Sequence, residues 1–273
     1  MKHKNISYQS NNLLSFFLDS GKLCFTYPEV LEALKDISPS AARQLLSDMV
    51  RRGLLMRIRN GLYYIIPFDQ DPATFMPDWH LLAGPLTKGY DYYIGYYSAL
   101  QLHQLITQPS LTEMIVTNRQ LKPAVIKVRE VTFQFIYHNQ THFFGKTAVW
   151  VDSFTKVACS DLEKTLVDCL FKPEYGGGIV EIGKALYQAR TTIDFERLLD
   201  YCKRFDSQAV IKRLGFLLEL LKIGEPIIDK LQDLKTDSYI LLDTEMEKHG
   251  KSRSRWSIRL NIDADTIENA LLT

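Results

Sequence analysis

The stretch from Ser38 to Ile66 constrains this chain more than any other, because its residues fall in the order of one local structure. Ser38 fits a helix N-cap, its hydroxyl placed to accept a free amide of the first turn, and Pro39 follows where a missing N–H costs nothing. Ala42, Leu45, Leu46, Met49 and Val50 then recur at helical spacing, and Gly53 stands where a left-handed residue ends a helix. Two short apolar runs follow, Leu54–Ile58 and Leu62–Ile66, divided by Asn60-Gly61. That pair signals a tight hairpin in which both central residues take a positive φ. A capped helix running into a hairpin is the second half of a winged helix-turn-helix.

The residues before it supply the first half. Residues 11–20 read as a short helix stopped by Gly21, with Leu13, Leu14, Phe17 and Leu18 on one stripe. Thr26-Tyr27-Pro28-Glu29 has the form of a capping box, opening a helix through Leu34 with Val30, Leu31 and Leu34 inward. Three helices and a hairpin give a module that places one helix against DNA.

The charge fits that use. From Arg43 to Asn60 there are five arginines and one acid, Asp48. The expected DNA-facing residues are Ser40, Arg43, Gln44, Ser47 and Arg51 on the helix, with Arg57, Arg59 and Asn60 on the hairpin. Arg43 and Gln44 suit base edges, guanine and adenine respectively, with Ser40 and Ser47 on phosphates or bases. Arg51, Arg57 and Arg59 suit the backbone. The net charge of +1 leaves the partner open, since a neutral chain can still carry a basic face. A second run without acids, Lys248-His249-Gly250-Lys251-Ser252-Arg253-Ser254-Arg255, reads as a mobile loop. Its Lys248, Lys251, Arg253 and Arg255 could add phosphate contacts.

At 273 residues and 46% hydrophobic, the chain has material for two ordinary domains with real cores. Pro67, Pro72, Pro77 and Pro85, with Asp69, Asp71 and Asp78 among them, read as a change of domain. The expected division is a winged helix-turn-helix domain over 1–70, a linker over 71–89 and a larger α+β domain over 90–273. In the last, Tyr92–Ile94 reads as a short strand and Ser98–Leu105 as a helix. Glu113–Thr117, Ala124–Lys127, Val131–Tyr137 and Thr147–Val151 follow as strands, and Val157–Cys159 as an edge piece. From Ser160-Asp161-Leu162-Glu163, a second capping box, the pattern turns helical, with helices at 178–190, 194–205, 207–223 and 225–234. Trp256–Ile262 alternates as a closing strand, and Asp263–Leu272 forms a last helix. Strands first and helices later indicate an α+β fold rather than a βαβ array.

Other chemistry finds little support. Cys24, Cys159, Cys169 and Cys202 have no C-x-x-C spacing and read as buried thiols of a reducing, cytoplasmic setting. The first residues, Met1-Lys2-His3-Lys4-Asn5, do not read as a leader, and no apolar run nears the roughly 18 residues of a membrane span. Gly176-Gly177-Gly178 lacks the G-x-x-x-x-G-K-[ST] of a phosphate loop and reads as a tight turn between helices. His103, His138 and His142 have no ligand spacing, Ser98 and Ser153 have no triad order, and Asp161 and Glu163 are explained by capping. The tyrosines at 90, 92, 93, 96 and 97 fit packing better than a base-stacking platform. No enzyme, cofactor or metal is expected.

Four stretches together carry a resemblance. They are the Arg59-Asn60-Gly61-Leu62-Tyr63-Tyr64 hairpin of the winged helix and Tyr93-Ile94-Gly95-Tyr96-Tyr97-Ser98-Ala99-Leu100. The third is Ser160-Asp161-Leu162-Glu163-Lys164-Thr165-Leu166-Val167-Asp168 with Pro173-Glu174-Tyr175-Gly176-Gly177, and the fourth is Trp256-Ser257-Ile258-Arg259-Leu260-Asn261. Through these the chain resembles, over nearly its whole length, the AbiEi-type antitoxins of bacterial type IV toxin–antitoxin (abortive infection) systems. The resemblance implies an N-terminal domain that represses its own operon by binding inverted repeats in double-stranded DNA. It also implies a C-terminal domain that counteracts a nucleotidyltransferase-like toxin, by contact or otherwise, and no catalytic motif. A winged-helix regulator whose C-terminal domain senses a small molecule is the alternative reading.

Overall fold

The computed structural model describes residues 6–271 apart from 88 and 107. The chain is α+β and divides into two compact units, Met1–Gly89 with Lys127–Glu130, and Tyr90–Ile126 with Val131–Thr273.

The first unit is a winged helix-turn-helix. Helix α1 (Tyr8–Asp19) starts where the Ser7 hydroxyl accepts the Ser10 amide, at 3.3 Å, and buries Leu13, Leu14 and Phe17. Leu18, expected on that stripe, is exposed, in the last turn of the helix beside its Ser20 cap. Strand β1 (Cys24–Thr26) leads into α2 (Tyr27–Ala33), where the Glu29 carboxylate accepts from both the Thr26 amide (2.7 Å) and hydroxyl (2.8 Å). Of the residues expected inward on α2, only Val30 is fully buried. Helix α3 (Pro39–Arg51) is capped by Ser38, whose hydroxyl accepts from the Ala41 amide at 3.2 Å, and buries Ala42, Leu45, Leu46 and Met49. Strands β2 (Leu55–Arg59) and β3 (Leu62–Ile65) form the wing, and the sheet order is β1-β3-β2.

Two local expectations need correction. Of the turn residues only Gly61 takes a positive φ, +75°. A register shift between Arg57 and Arg59 supplies the twist that a second left-handed residue would have given. Strand β1 carries no sequence signal, because Cys24-Phe25-Thr26 is too short to display a period of two. It is fixed from outside: Phe25 stacks on Phe17 with ring centroids 4.1 Å apart, and Cys24, Phe25 and Thr26 pair with Tyr64, Tyr63 and Leu62.

The segment expected as a linker belongs to this unit. A 3-10 turn over Trp79–Leu82, begun by Asp78, runs into the one-turn helix α4 (Ala83–Leu86). Leu82, Ala83 and Leu86 are buried. Pro72 packs so closely on Gly53 that a Cβ there would lie 2.4 Å from its ring, so this glycine is needed for space as well as for its φ of +72°. Arg129 donates to the carbonyls of Pro72 and Ala73. The prolines exclude long elements from 67–89, but not short ones.

The second unit is built on β4 (Tyr92–Ile94), β5 (Thr112–Thr117), the first half of β6 (Val125–Val128), β7 (Val131–Tyr137), β8 (Lys146–Trp150) and β9 (Lys156–Ser160), with α5 (Tyr96–Leu102) after β4. The six strands form one sheet in the order β6-β7-β5-β4-β9-β8. Pairs β5–β7 and β4–β9 are parallel, while β4–β5 and β8–β9 are antiparallel. Expected as an edge, β9 is interior instead, because the wholly exposed face of β8 lies outside it.

Helices α6 (Leu162–Phe171), α7 (Gly178–Gln188), α8 (Phe195–Phe205), α9 (Gln208–Leu221) and α10 (Glu225–Leu234) pack on one another, α5 lies on β5, and Tyr93, Val116 and Ile136 of the sheet join the helices' core. Helix α6 is central, with every residue from Glu163 to Leu170 buried. Short strands β10 (Ile240–Leu241), β11 (Lys251–Arg253) and β12 (Ile258–Leu260) form a second sheet, and α11 (Ala264–Ala270) follows. The Trp256 ring is buried against Gly215, and its Nε1–H donates to Glu219 at 2.6 Å. Buried Arg213 forms no ion pair among the described residues, although Asp243 and Glu174 lie near enough to favour its charge. It donates instead to the carbonyls of Leu242 (2.9 Å), Leu170 (2.7 Å) and Leu241 (3.1 Å), tying the end of α6 to β10, and burial lowers its pKa to about 10.

Candidate nucleic-acid interface

On the first unit, one face of α3 and one flank of the wing enclose an open groove of about 420 Å³. Arg43, Ser47, Arg51, Arg57 and Asn60 line it with Val50 and Tyr63, and no acid does. The helical period explains the first three, because Arg43, Ser47 and Arg51 are spaced by four and share the face opposite Leu45, Leu46 and Met49. Arg57 comes from the outward positions of β2, and Asn60 from the turn. Three guanidinium groups on a groove that no acid lines, among the described residues, are able to hold phosphate and to reach base edges. Arg43 also lies over the Tyr27 ring, 5.3 Å from its centroid, and the Tyr27 hydroxyl donates to the Pro39 carbonyl at 2.9 Å. Arg51 pairs with Asp48 at 2.6 Å on its own helix; at this exposed position such a pair contributes on the order of 0.2–1 kcal/mol and can yield to a phosphate.

The remaining expected residues are placed elsewhere. Ser40 and Gln44 are exposed on α3 but do not line the groove, and the Ser40 hydroxyl meets that of Ser38 at 3.1 Å. Arg59 is half-buried and separated from Arg57 by the register shift. It enters a second cleft, where its Nε is buried with no hydrogen-bond partner.

The second basic run, expected from its glycine and serines to be a loop, is one only at its two ends. Lys251, Ser252 and Arg253 form β11, paired antiparallel with β12 through Leu260, Arg259 and Ile258. Backbone pairing to β12 supplies the order that the composition lacks. Lys248, Lys251 and Arg253 are exposed, whereas the Arg255 guanidinium is held by Glu219 at 2.6 Å. The glycine run at 176–178 has Gly177 and Gly178, the cap and first residue of α7, at φ +84°, and the Ile179 amide donates to the buried carboxylate of Asp243 at 2.8 Å. An acid already occupies the place a phosphate would take.

Sequence reasoning missed a closed polar cluster in the core of the second unit. Tyr93, Tyr96, His138, Lys164 and Asp168 are buried together, brought from β4, α5, the end of β7 and one face of α6. Lys164 pairs with Asp168 at i, i+4 and donates to the Tyr93 oxygen at 3.0 Å. The Tyr93 hydroxyl donates to Asp168 at 2.9 Å. His138 bridges the two tyrosines, Nδ1 lying 3.2 Å from the Tyr93 oxygen and Nε2 lying 2.7 Å from that of Tyr96. Since Tyr93 gives its proton to Asp168, His138 donates from Nδ1 and accepts from Tyr96 at Nε2. The Lys164 ammonium also faces the Phe144 and Phe205 rings, 5.0 Å from each centroid.

Burial dominates the titration of this cluster. It lowers His138 to about 2, with the nearby Lys164 charge adding to the effect. It pushes the Asp168 carboxyl up and the Lys164 ammonium down, each opposed by the charge of the other. Nearby, Glu163 is buried beside Arg197 at 2.7 Å and accepts from the Asp194 amide at 2.8 Å, so it joins α6 to α8 and does not close the capping box. Only Asp161 caps α6, accepting from the Lys164 amide at 2.8 Å. The one sequence hint of the cluster was the i, i+4 spacing of Lys164 and Asp168, which usually marks a solvated pair.

No group of three or more His, Cys, Asp or Glu among the described residues could hold a metal ion, and no helix among them is long and apolar enough to cross a membrane. No protein-family model matches the chain, and no curated protein sequence is similar to it. The fold is similar to that in the crystal structure of the Rv2827c protein from Mycobacterium tuberculosis, with a TM-score of 0.68 over 98% of this chain and 96% of that one. At 15% identity the likeness concerns the fold alone.

Proposed function

We propose that this protein is a DNA-binding transcriptional autorepressor and the antitoxin of a type IV toxin–antitoxin system. In this reading its first unit binds inverted repeats upstream of its own operon, and its second counteracts a nucleotidyltransferase-like toxin. The observation that carries the DNA-binding half is the acid-free groove joining Arg43, Ser47, Arg51, Arg57 and Asn60. Arg43 sits at the mouth of the recognition helix and suits a base edge; Arg51 and Arg57 suit the phosphates on either side. The antitoxin half is supported by the sequence resemblance, which extends through α6 and the Trp256–Asn261 stretch. No catalysis is part of the reading, because the titratable cluster of the second unit is sealed from solvent. Inverted repeats require two copies on the DNA, not a dimer in solution.

Two experiments test the two halves. A gel shift with the upstream DNA compares the protein with Arg43→Ala and Arg57→Ala; unchanged affinity in both removes the groove from the interface. Co-expression with the neighbouring gene scores growth. If that gene is not toxic, or the protein does not restore growth, the antitoxin reading fails while the DNA reading stands.

A further inference from the structure

The first unit has another concavity, distinct from the recognition groove and larger, at about 790 Å³. That is the size of a small-molecule site. Its walls are β1 and the start of α2, the turn and first residues of β3, and the Gly84-Pro85 segment of α4. Among the described residues three cations reach it, Lys22, Arg43 and Arg59, against one acid, Glu29. Lys22 is paired with Glu29, so the charges of Arg43 and Arg59 are left uncompensated. The Cys24 thiol on the wall is pushed up to about 12 by burial and adds no negative charge.

Arg59 is the telling residue. Its Nε is buried in the cleft wall without an acceptor, and no carboxylate pairs with it among the described residues. A buried guanidinium N–H left unmatched is uncommon; Nε is shut from the cleft as it stands, so a ligand reaches it only when the Arg59 side chain turns, and an anion with several oxygens is the partner that best rewards that turn. The surplus of two positive charges would balance the roughly −1.5 to −2 charge of a phosphomonoester near neutral pH. Tyr27 and Tyr63 line the same cleft and offer planar faces.

We propose that this cleft binds a small phosphorylated ligand carrying a planar base, a molecule of mononucleotide size, with Arg59 holding the phosphate. Arg43 and Asn60 line both this cleft and the recognition groove. A ligand here draws Arg43 away from DNA, so occupancy lowers DNA affinity. The competition rests on the DNA-binding reading above; the binding itself does not.

The probes are AMP, GMP, CMP and UMP, the matching nucleosides and inorganic phosphate, titrated calorimetrically into the full-length protein. Saturable binding of at least one nucleotide below millimolar concentration is expected, at least tenfold tighter than its nucleoside. Arg59→Gln should weaken it at least tenfold, with an unchanged urea unfolding curve, while Arg57→Ala, on the other groove, should leave it unchanged. In a gel shift the same nucleotide should release upstream DNA from the wild type but not from Arg59→Gln. No saturable binding, equal binding of nucleoside and nucleotide, or full binding by Arg59→Gln overturns the site. Nucleotide binding with no DNA binding at all sinks the repressor reading and leaves the cleft. Nucleotide binding that leaves the DNA complex intact overturns the competition alone.

Discussion

Acid should destabilise the second unit chiefly through one buried histidine. His138 bridges Tyr93 and Tyr96 in its neutral form, and burial together with the nearby Lys164 charge holds its pKa at about 2. In the unfolded chain a histidine titrates near about 6.5. Its folded pKa is therefore depressed, and between those values the unfolded state binds the extra proton. Stability is then complete above about pH 6.5 and falls as the pH drops below it. The loss approaches about 1.4 kcal/mol per pH unit, or about 2 kcal/mol between pH 6.5 and 5, for this side chain. His142, also lowered by burial, adds to the loss in the same direction. The assay is urea unfolding at pH 7, 6 and 5, with Trp79 and Trp150 replaced by Phe so that buried Trp256 reports on the second unit. His138→Gln keeps a neutral, hydrogen-bonding side chain between the tyrosines but cannot gain a proton. Its unfolding free energy should fall by about 2 kcal/mol less than that of the parent over this range. Equal losses in the two proteins would refute the reasoning.

Other perturbations separate the roles of particular residues. Arg43→Ala should weaken binding to the upstream DNA by about 1–3 kcal/mol and relax sequence preference, read by titration against point-mutated sites; a loss that is the same for every sequence would make Arg43 a phosphate contact. Asp168→Ala leaves the Lys164 ammonium buried without its carboxylate and should cost about 3–5 kcal/mol in urea unfolding, whereas a cost below about 1 kcal/mol would mean the pair is held weakly. Gly215→Ala places a Cβ 2.0 Å from the Trp256 ring and should destabilise the second unit by about 1–3 kcal/mol or more, with altered Trp256 emission. If β11 touches DNA, replacing both Lys251 and Arg253 by alanine should reduce the slope of log K against log salt by about two, and an unaltered slope removes that strand from the footprint.

Local residue order alone specifies helix α3 and most of the secondary structure. Ser38, Pro39, the Ala42–Met49 stripe and Gly53 act within a turn or two of chain, so their effect is legible in order along it. The same holds for Val131–Tyr137, whose alternation predicts the observed strand, and for the long apolar stripe of α9. Tertiary structure decided whatever depends on partners distant in sequence. Strand β1 exists because Phe17 and β3 receive it, β11 because β12 pairs with it, and β9 is interior because β8 covers it. The hairpin shows both levels at once. Asn60-Gly61 announced a turn, but the register shift behind it divided Arg57 from Arg59 and sent them into different clefts. Likewise, Tyr93, Tyr96, His138, Lys164 and Asp168 are scattered over 76 positions, and no local rule joins them. Only packing removes the water that would otherwise keep each of those groups apart, and with it sets their partners and their charge.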